Sequence, residues 1–124
     1  MTARPDFLAR LVRARQALEA CGADGLLVTH PPNVAYLTGL RASAGAVVLT
    51  ARQVVLLVDG RYLAVAERLV EALPAAAGAD LVLVDASAEE AVAAAVRSLG
   101  CQRLGFEAAH LSVRRHGWLA AVRL

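Results

Sequence analysis

The sequence predicts an α/β fold, a mixed β-sheet covered by helices. Three observations lead there. Short apolar runs at residues 25–29, 46–50, 54–58, 81–84 and 103–107 alternate with segments of helical period. Only Ala51-Arg52-Gln53 separates the second run from the third, a link that permits an antiparallel hairpin and excludes a parallel crossover. Beyond the hairpin, helix and strand alternate in the order of βαβ units. The middle of the sheet is therefore antiparallel and its later part parallel.

Each element has its own signal. Phe7, Leu11, Ala14, Leu18 and Cys21 recur at steps of four and three, which makes one amphipathic helix. Pro5 suits its first turn and Gly22 the position just past its end. Arg4, Arg10, Arg13 and Arg15 fall largely elsewhere on the wheel and read as its solvated face. Residues 25–29 have the length and flanks of a strand, and Pro31-Pro32 forbids its continuation as a central strand. The next stretch reads as a turn, where Asn33 satisfies backbone groups of a tight turn or short helix. After the hairpin, Tyr62 or Leu63, Ala66, Leu69 or Val70, and Leu73 share a helical face that Pro74 closes. Ser87 and Glu90 have capping-box spacing for a helix reaching Leu99, and Gly100 ends it. Ser112 is placed to cap a final helix carrying Trp118, Leu119 and Val122. Gly117 weakens that helix by about 1 kcal/mol relative to Ala.

The chain has 124 residues, which suits a single domain over 1–124 with a core that needs no staples. Hydrophobic residues make up 58% and mean hydropathy is +0.53, yet no apolar run approaches the ~18 residues of a membrane span. All 13 cationic side chains are arginines, against 11 acids, and the net charge of +2 is too small a bias to argue for nucleic acid. The N-terminus is arginine-rich and contains Asp6, without the apolar centre of a secretory signal, so the cytoplasm is the expected compartment. Cys21 and Cys101 form no CxxC pair and read as two buried free thiols.

Catalytic chemistry is hard to place here. His30, His110 and His116 form no HxxxH or HExxH pattern, no GxSxG elbow supports a Ser/His/Asp triad, and no Gly-rich phosphate loop occurs. Asp59, Asp85 and Glu107 each end a predicted strand. Converging, they would hold a divalent metal as a nuclease needs. The simpler reading makes each a cap that accepts hydrogen bonds from free amides at a helix start. The hairpin also reverses the chain between the second and third strands, so the strand ends are not expected to lie together. Two polar, turn-rich segments remain, residues 29–45 and 58–62. Tyr36, Arg41 and Ser43 in the first are candidates to face a ligand or partner, while Asp59-Gly60-Arg61-Tyr62 reads as a capped strand-to-helix corner with Arg61 paired to an acid.

Asn33-Val34-x-Tyr36-Leu37-Thr38-Gly39, Ser43-x-Gly45, the apolar hairpin, Asp59-Gly60-Arg61-Tyr62 and Arg103-Leu104-Gly105-Phe106-Glu107 follow one another in one order at compatible spacing. Together they resemble the N-terminal domain of the creatinase/prolidase group, which includes Xaa-Pro dipeptidases and aminopeptidase P. The resemblance covers the chain from about residue 7 onward. It implies a ribonuclease-H-like fold with helices on both sides of the sheet. It also implies a C-terminal pita-bread catalytic domain that supplies two divalent metal ions and their ligands, none of which is in this chain. On that implication the chain holds no catalytic, cofactor or metal residue and is not itself an enzyme, although its parent is an Xaa-Pro metallopeptidase. Its partners would be its own catalytic domain and a second copy in a homodimer, with peptide substrate met only in the full enzyme. Asn33, Tyr36, Leu40, Arg41, Ser43, Arg61 and Tyr62 become the candidates for a substrate edge or interface. The alternatives are a free-standing interaction or regulatory module of the same fold, and the metal-dependent nuclease built on the three carboxylates.

Overall fold

A computed structural model describes residues 6–107 of the chain. The final helix expected from Ser112, and the roles expected for Arg4 and Pro5, lie outside the described residues. Helix α1 (Phe7–Cys21) starts at Asp6, whose carboxylate accepts the Ala9 amide at 3.0 Å. Strand β1 (Gly25–Val28) leads into α2 (Pro31–Thr38). Strands β2 (Ala46–Thr50) and β3 (Val54–Val58) form the hairpin. A 3₁₀ turn at Gly60–Tyr62 feeds α3 (Leu63–Ala72), and a second one at Ala75–Ala77 precedes β4 (Ala79–Leu83). Helix α4 (Ala88–Ser98) and strand β5 (Leu104–Phe106) complete the described part.

The sheet order is β4-β3-β2-β1-β5. Strand β2 runs antiparallel to both neighbours, while β3 pairs β4 and β1 pairs β5 in parallel. All ten residues of the hairpin strands are buried, because the sheet is covered on both faces and alternate residues meet different layers. Val47, Leu49, Leu56 and Val58 pack with Leu11, Leu18, Val34 and Leu37 beneath α1, α2 and α3. Val48, Val55 and Leu57 pack with Val92 and Val96 of α4 and with Cys101.

Four sequence expectations change or narrow. First, the stretch after β1, left open as a tight turn or a short helix, is an eight-residue helix. Pro31 and Pro32 occupy its first turn, where a missing amide loses no intrahelical bond. Second, the hairpin reverses β2 alone. Strands β1, β3, β4 and β5 all point one way, so their C-terminal ends and the start of β2 share one rim. Third, the arginines of α1 are not a uniformly solvated face. Arg15 bonds the carbonyls of Thr50 at 2.7 Å and Ala77 at 2.6 Å, and Arg10 engages Tyr36. Fourth, Cys101 is buried but Cys21 is exposed, since it falls in the last turn of α1 beside its end. Burial pushes the Cys101 thiol above its ordinary value.

One glycine is required by contact as well as by conformation. Gly78 has φ 64°, and a Cβ there would lie 2.0 Å from the Arg52 carbonyl oxygen. Only Gly lets the hairpin turn and the entry to β4 approach so closely.

Candidate functional site

The shared rim brings the two polar segments together. The chain leaves α2 at Gly39, whose φ of 84° is a left-handed turn. Thr38 Oγ1 donates to the Val34 carbonyl at 2.7 Å and accepts the Leu40 amide at 3.1 Å. This fold-back turns Leu40 into the core, where it is 0% exposed. Leu40 is therefore not an edge or interface residue of this domain, contrary to the sequence expectation. Its neighbour Arg41 is exposed and makes no hydrogen bond or ion pair among the described residues.

Further along the loop, Ser43 meets the corner after β3. Its Oγ lies 2.9 Å from the Tyr62 hydroxyl, and its amide donates to the same oxygen at 3.4 Å. These bonds from Ser43, side chain first, hold the Tyr62 phenol below its ordinary pKa. Asp59 caps the corner by accepting the Arg61 amide at 2.9 Å. The Arg61 guanidinium grips the same carboxylate through Nε at 3.2 Å and Nη2 at 2.8 Å, which holds Asp59 below the usual carboxylate range. The guanidinium also sits 5.1 Å from the centre of the Tyr62 ring. The side chains of Arg61 and Asp59 are 67% and 34% exposed, so water screens the pair and it adds little to stability. A cleft of about 280 Å³ opens beside this cluster, lined by Thr29, Ser43, Ala44, Asp59, Val84 and Ala88.

Asn33 and Tyr36 lie on α2 and take other partners. Asn33 donates through Nδ2 to Glu107. The other oxygen of Glu107 accepts the amides of Thr29 at 2.6 Å and His30 at 3.0 Å. Tyr36 faces α1. Its carbonyl accepts Arg10 Nη1 at 2.9 Å, and the Arg10 guanidinium lies 4.2 Å from the ring centre. Arg13 donates to the Tyr36 hydroxyl at 3.4 Å and, as the leading cause, holds that phenol below its ordinary pKa. The sequence reading missed Arg10 and Arg13 as partners of Tyr36. A polar side chain facing another helix leaves no mark in the period of either.

The three strand-end carboxylates do not form a metal site. They share the rim, but Glu107 follows β5, three strands from β3, or about 14 Å at the usual strand spacing. Glu107 and Asp59 are occupied with amides, as the capping reading has it. Asp85 is exposed and caps nothing among the described residues; Ser87 accepts the Glu90 amide at 3.3 Å and starts α4 instead. Among the described residues, no three His, Cys, Asp or Glu are grouped to hold a metal ion. No helix among them is long and apolar enough to cross a membrane.

Comparison with known proteins supplies the family. The creatinase/prolidase N-terminal domain model matches residues 10–122. The uncharacterized peptidase YqhT of Bacillus subtilis is 33% identical over 98 residues, covering 79% of this chain but 26% of YqhT. The Xaa-Pro dipeptidase of Bacillus anthracis superposes with a TM-score of 0.82 at 25% identity, covering 95% of this chain and 32% of that one. The isolated N-terminal domain of the cytoplasmic peptidase PepQ from Mycobacterium tuberculosis superposes with a TM-score of 0.78 at 29% identity, covering 92% of this chain and 84% of that one. The chain thus spans about a quarter to a third of the full-length relatives and most of a domain solved on its own.

Proposed function

This chain belongs to the creatinase/prolidase N-terminal domain family, and from that premise we propose that it is the non-catalytic accessory domain of a cytoplasmic Xaa-Pro metallopeptidase. In this reading it borders the substrate site of the complete enzyme and aids its dimerisation. The coverage carries the reading: nearly all of this chain matches one third of a dipeptidase, and the other two thirds has no counterpart here. The described residues offer no ligand set that fits a metal, so no catalytic step is assigned to them. The two divalent ions belong, in this proposal, to a C-terminal catalytic domain.

What this chain would contribute is a lip. A peptidase confined to short Xaa-Pro substrates has to exclude longer chains, and a rigid loop from another domain limits length. An arginine on that loop can pair with the terminal carboxylate of a short peptide through a charge-assisted bond. Arg41 suits this role because it is exposed, and its charge is not neutralised by a partner among the described residues.

The test is Arg41→Ala in the complete enzyme, assayed on Xaa-Pro dipeptides and tripeptides. KM for dipeptides should rise by about tenfold, with kcat little changed and the longer peptides less affected. Unchanged kinetics at every length would overturn the reading. Sequencing the coding region after Leu124 tests the domain partnership directly, and light scattering with and without residues 1–124 tests dimerisation.

A further inference from the structure

We propose that the Tyr62 hydroxyl is the positioning group for the loop that carries Arg41, acting through Ser43. The inference rests on the reading of that loop as a lip. The loop leaves the body at Leu40, which is buried, and re-enters at Gly45, just before β2. Between them Ala42 is half-buried against the core, while Arg41, Ser43 and Ala44 are exposed. Among the described residues, the hydrogen bonds that join residues 41–44 to the rest of the domain all end on one atom, Tyr62 Oη. That oxygen accepts the Ser43 amide at 3.4 Å and shares a second hydrogen bond with Ser43 Oγ at 2.9 Å, in which either hydroxyl can donate. The result is a two-bond clamp on a single residue in the middle of the loop.

The clamp is itself well founded. The Tyr62 ring packs against the core beneath α1–α3, and its amide bonds the Asp59 carbonyl at 3.1 Å. The Asp59–Arg61 chelate closes the same turn and lays a guanidinium over the ring. A loop fixed in this way meets a substrate already ordered, so binding does not lose the entropy of ordering it. Tyr62 is thus expected to set substrate length selectivity without touching substrate.

Amide exchange on the 124-residue chain tests this directly. In Tyr62→Phe the ring stays in the core and only the hydroxyl is lost, and exchange at residues 41–45 should quicken about three- to tenfold. Ser43→Ala, at an exposed position, removes the Oγ bond and keeps the amide's, so it should quicken the same amides by less and add nothing in the Tyr62→Phe background, where neither bond remains. Exchange in β2 and β3 should not change, which separates loop release from general loosening. Unchanged loop exchange in Tyr62→Phe, or additive effects in the double variant, would overturn the proposal. Should Tyr62→Phe also loosen the sheet, Ser43→Ala alone decides. In the complete enzyme, Tyr62→Phe should raise KM for dipeptides in the direction of Arg41→Ala and have no effect in that variant's background. If the loop loosens and Arg41→Ala is silent, the lip reading fails and the clamp stands. If Arg41→Ala acts and Tyr62→Phe leaves both exchange and KM unchanged, the clamp fails and the lip stands.

Discussion

The two ends of the sheet both carry charged groups and use them differently. At the end where β1 and β4 begin, charged side chains bind main chain. Arg15 satisfies two carbonyls at once, from the end of β2 and from the turn before β4. Asp24 accepts the amides of Gln102 and Arg103, each at 2.9 Å, and so fixes the entry to β5. At the opposite rim, Glu107 does the same for the exit of β1 and Asp59 caps its own corner, but otherwise the exposed side chains bind each other or, for Arg41, no described residue. Asp59 holds Arg61, Tyr62 holds Ser43, and Arg41 projects alone among the described residues. The carbonyls that Arg15 satisfies are part-buried and need a partner, while Asp24 fixes its turn at an exposed site. Exposed side-chain pairs give the fold little. In the accessory-domain reading proposed above, this exposed polarity is an edge presented to another domain.

Three measurements bear on that contrast, and the largest effect is expected at Arg15. Arg15→Ala strands the carbonyls of Thr50 and Ala77 in a part-buried site and should lower stability by about 2 kcal/mol in urea unfolding. A loss below about 0.5 kcal/mol would show that water replaces the guanidinium and that the two ends do not differ. Burial lowers the Arg15 pKa, yet a guanidinium keeps its charge across the working range, so this loss should not vary with pH.

A smaller, pH-dependent effect belongs to Asp24. Bonds from the backbone of Gln102, and then of Arg103, hold its carboxyl below the ordinary value. The unfolded chain therefore takes up its proton first as pH falls. The contribution is fully present above the unfolded pKa of about 3.9 and is lost as pH drops through the folded value. Asp24→Asn should cost about 1 kcal/mol at neutral pH, an amount limited by exposure to solvent, and should flatten the acid limb of the stability curve. An acid limb of unchanged slope would show that Asp24 does not hold β5. The smallest effect is at the rim, where Arg61→Ala should leave the urea midpoint unchanged. A clear shift there would make the Asp59–Arg61 pair structural and remove the contrast between the ends.

Much of this architecture was legible in the residues. The nine apolar residues of β2 and β3 and their three-residue link dictated a buried hairpin. The spacing from Phe7 to Cys21 dictated α1, and Ser87 marked the start of α4 one residue before it begins. The misreadings have a common cause. Pro31-Pro32 stops a strand but equally opens a helix, and only the chain after β1 decides which. A three-residue link shows that β2 opposes β3, but it does not say that β1 will pair on β2's far side and so restore its direction. Leu40 sits between a glycine and an arginine in a turn-rich stretch, which gives it the local look of a rim residue. Its burial depends on the left-handed turn at Gly39 and on the Thr38 hydroxyl.

By itself the sequence determined most of the elements, a mixed sheet covered by helices and the likeness to a family, because hydrophobic period and turn chemistry are local properties. Only the tertiary structure decided which polar groups meet. Ser43 and Tyr62 lie 19 residues apart, Arg15 and Ala77 62, and Asn33 and Glu107 74. Such pairings are set by strand order and helix packing, which bring distant residues within the few ångströms at which a hydrogen bond has strength.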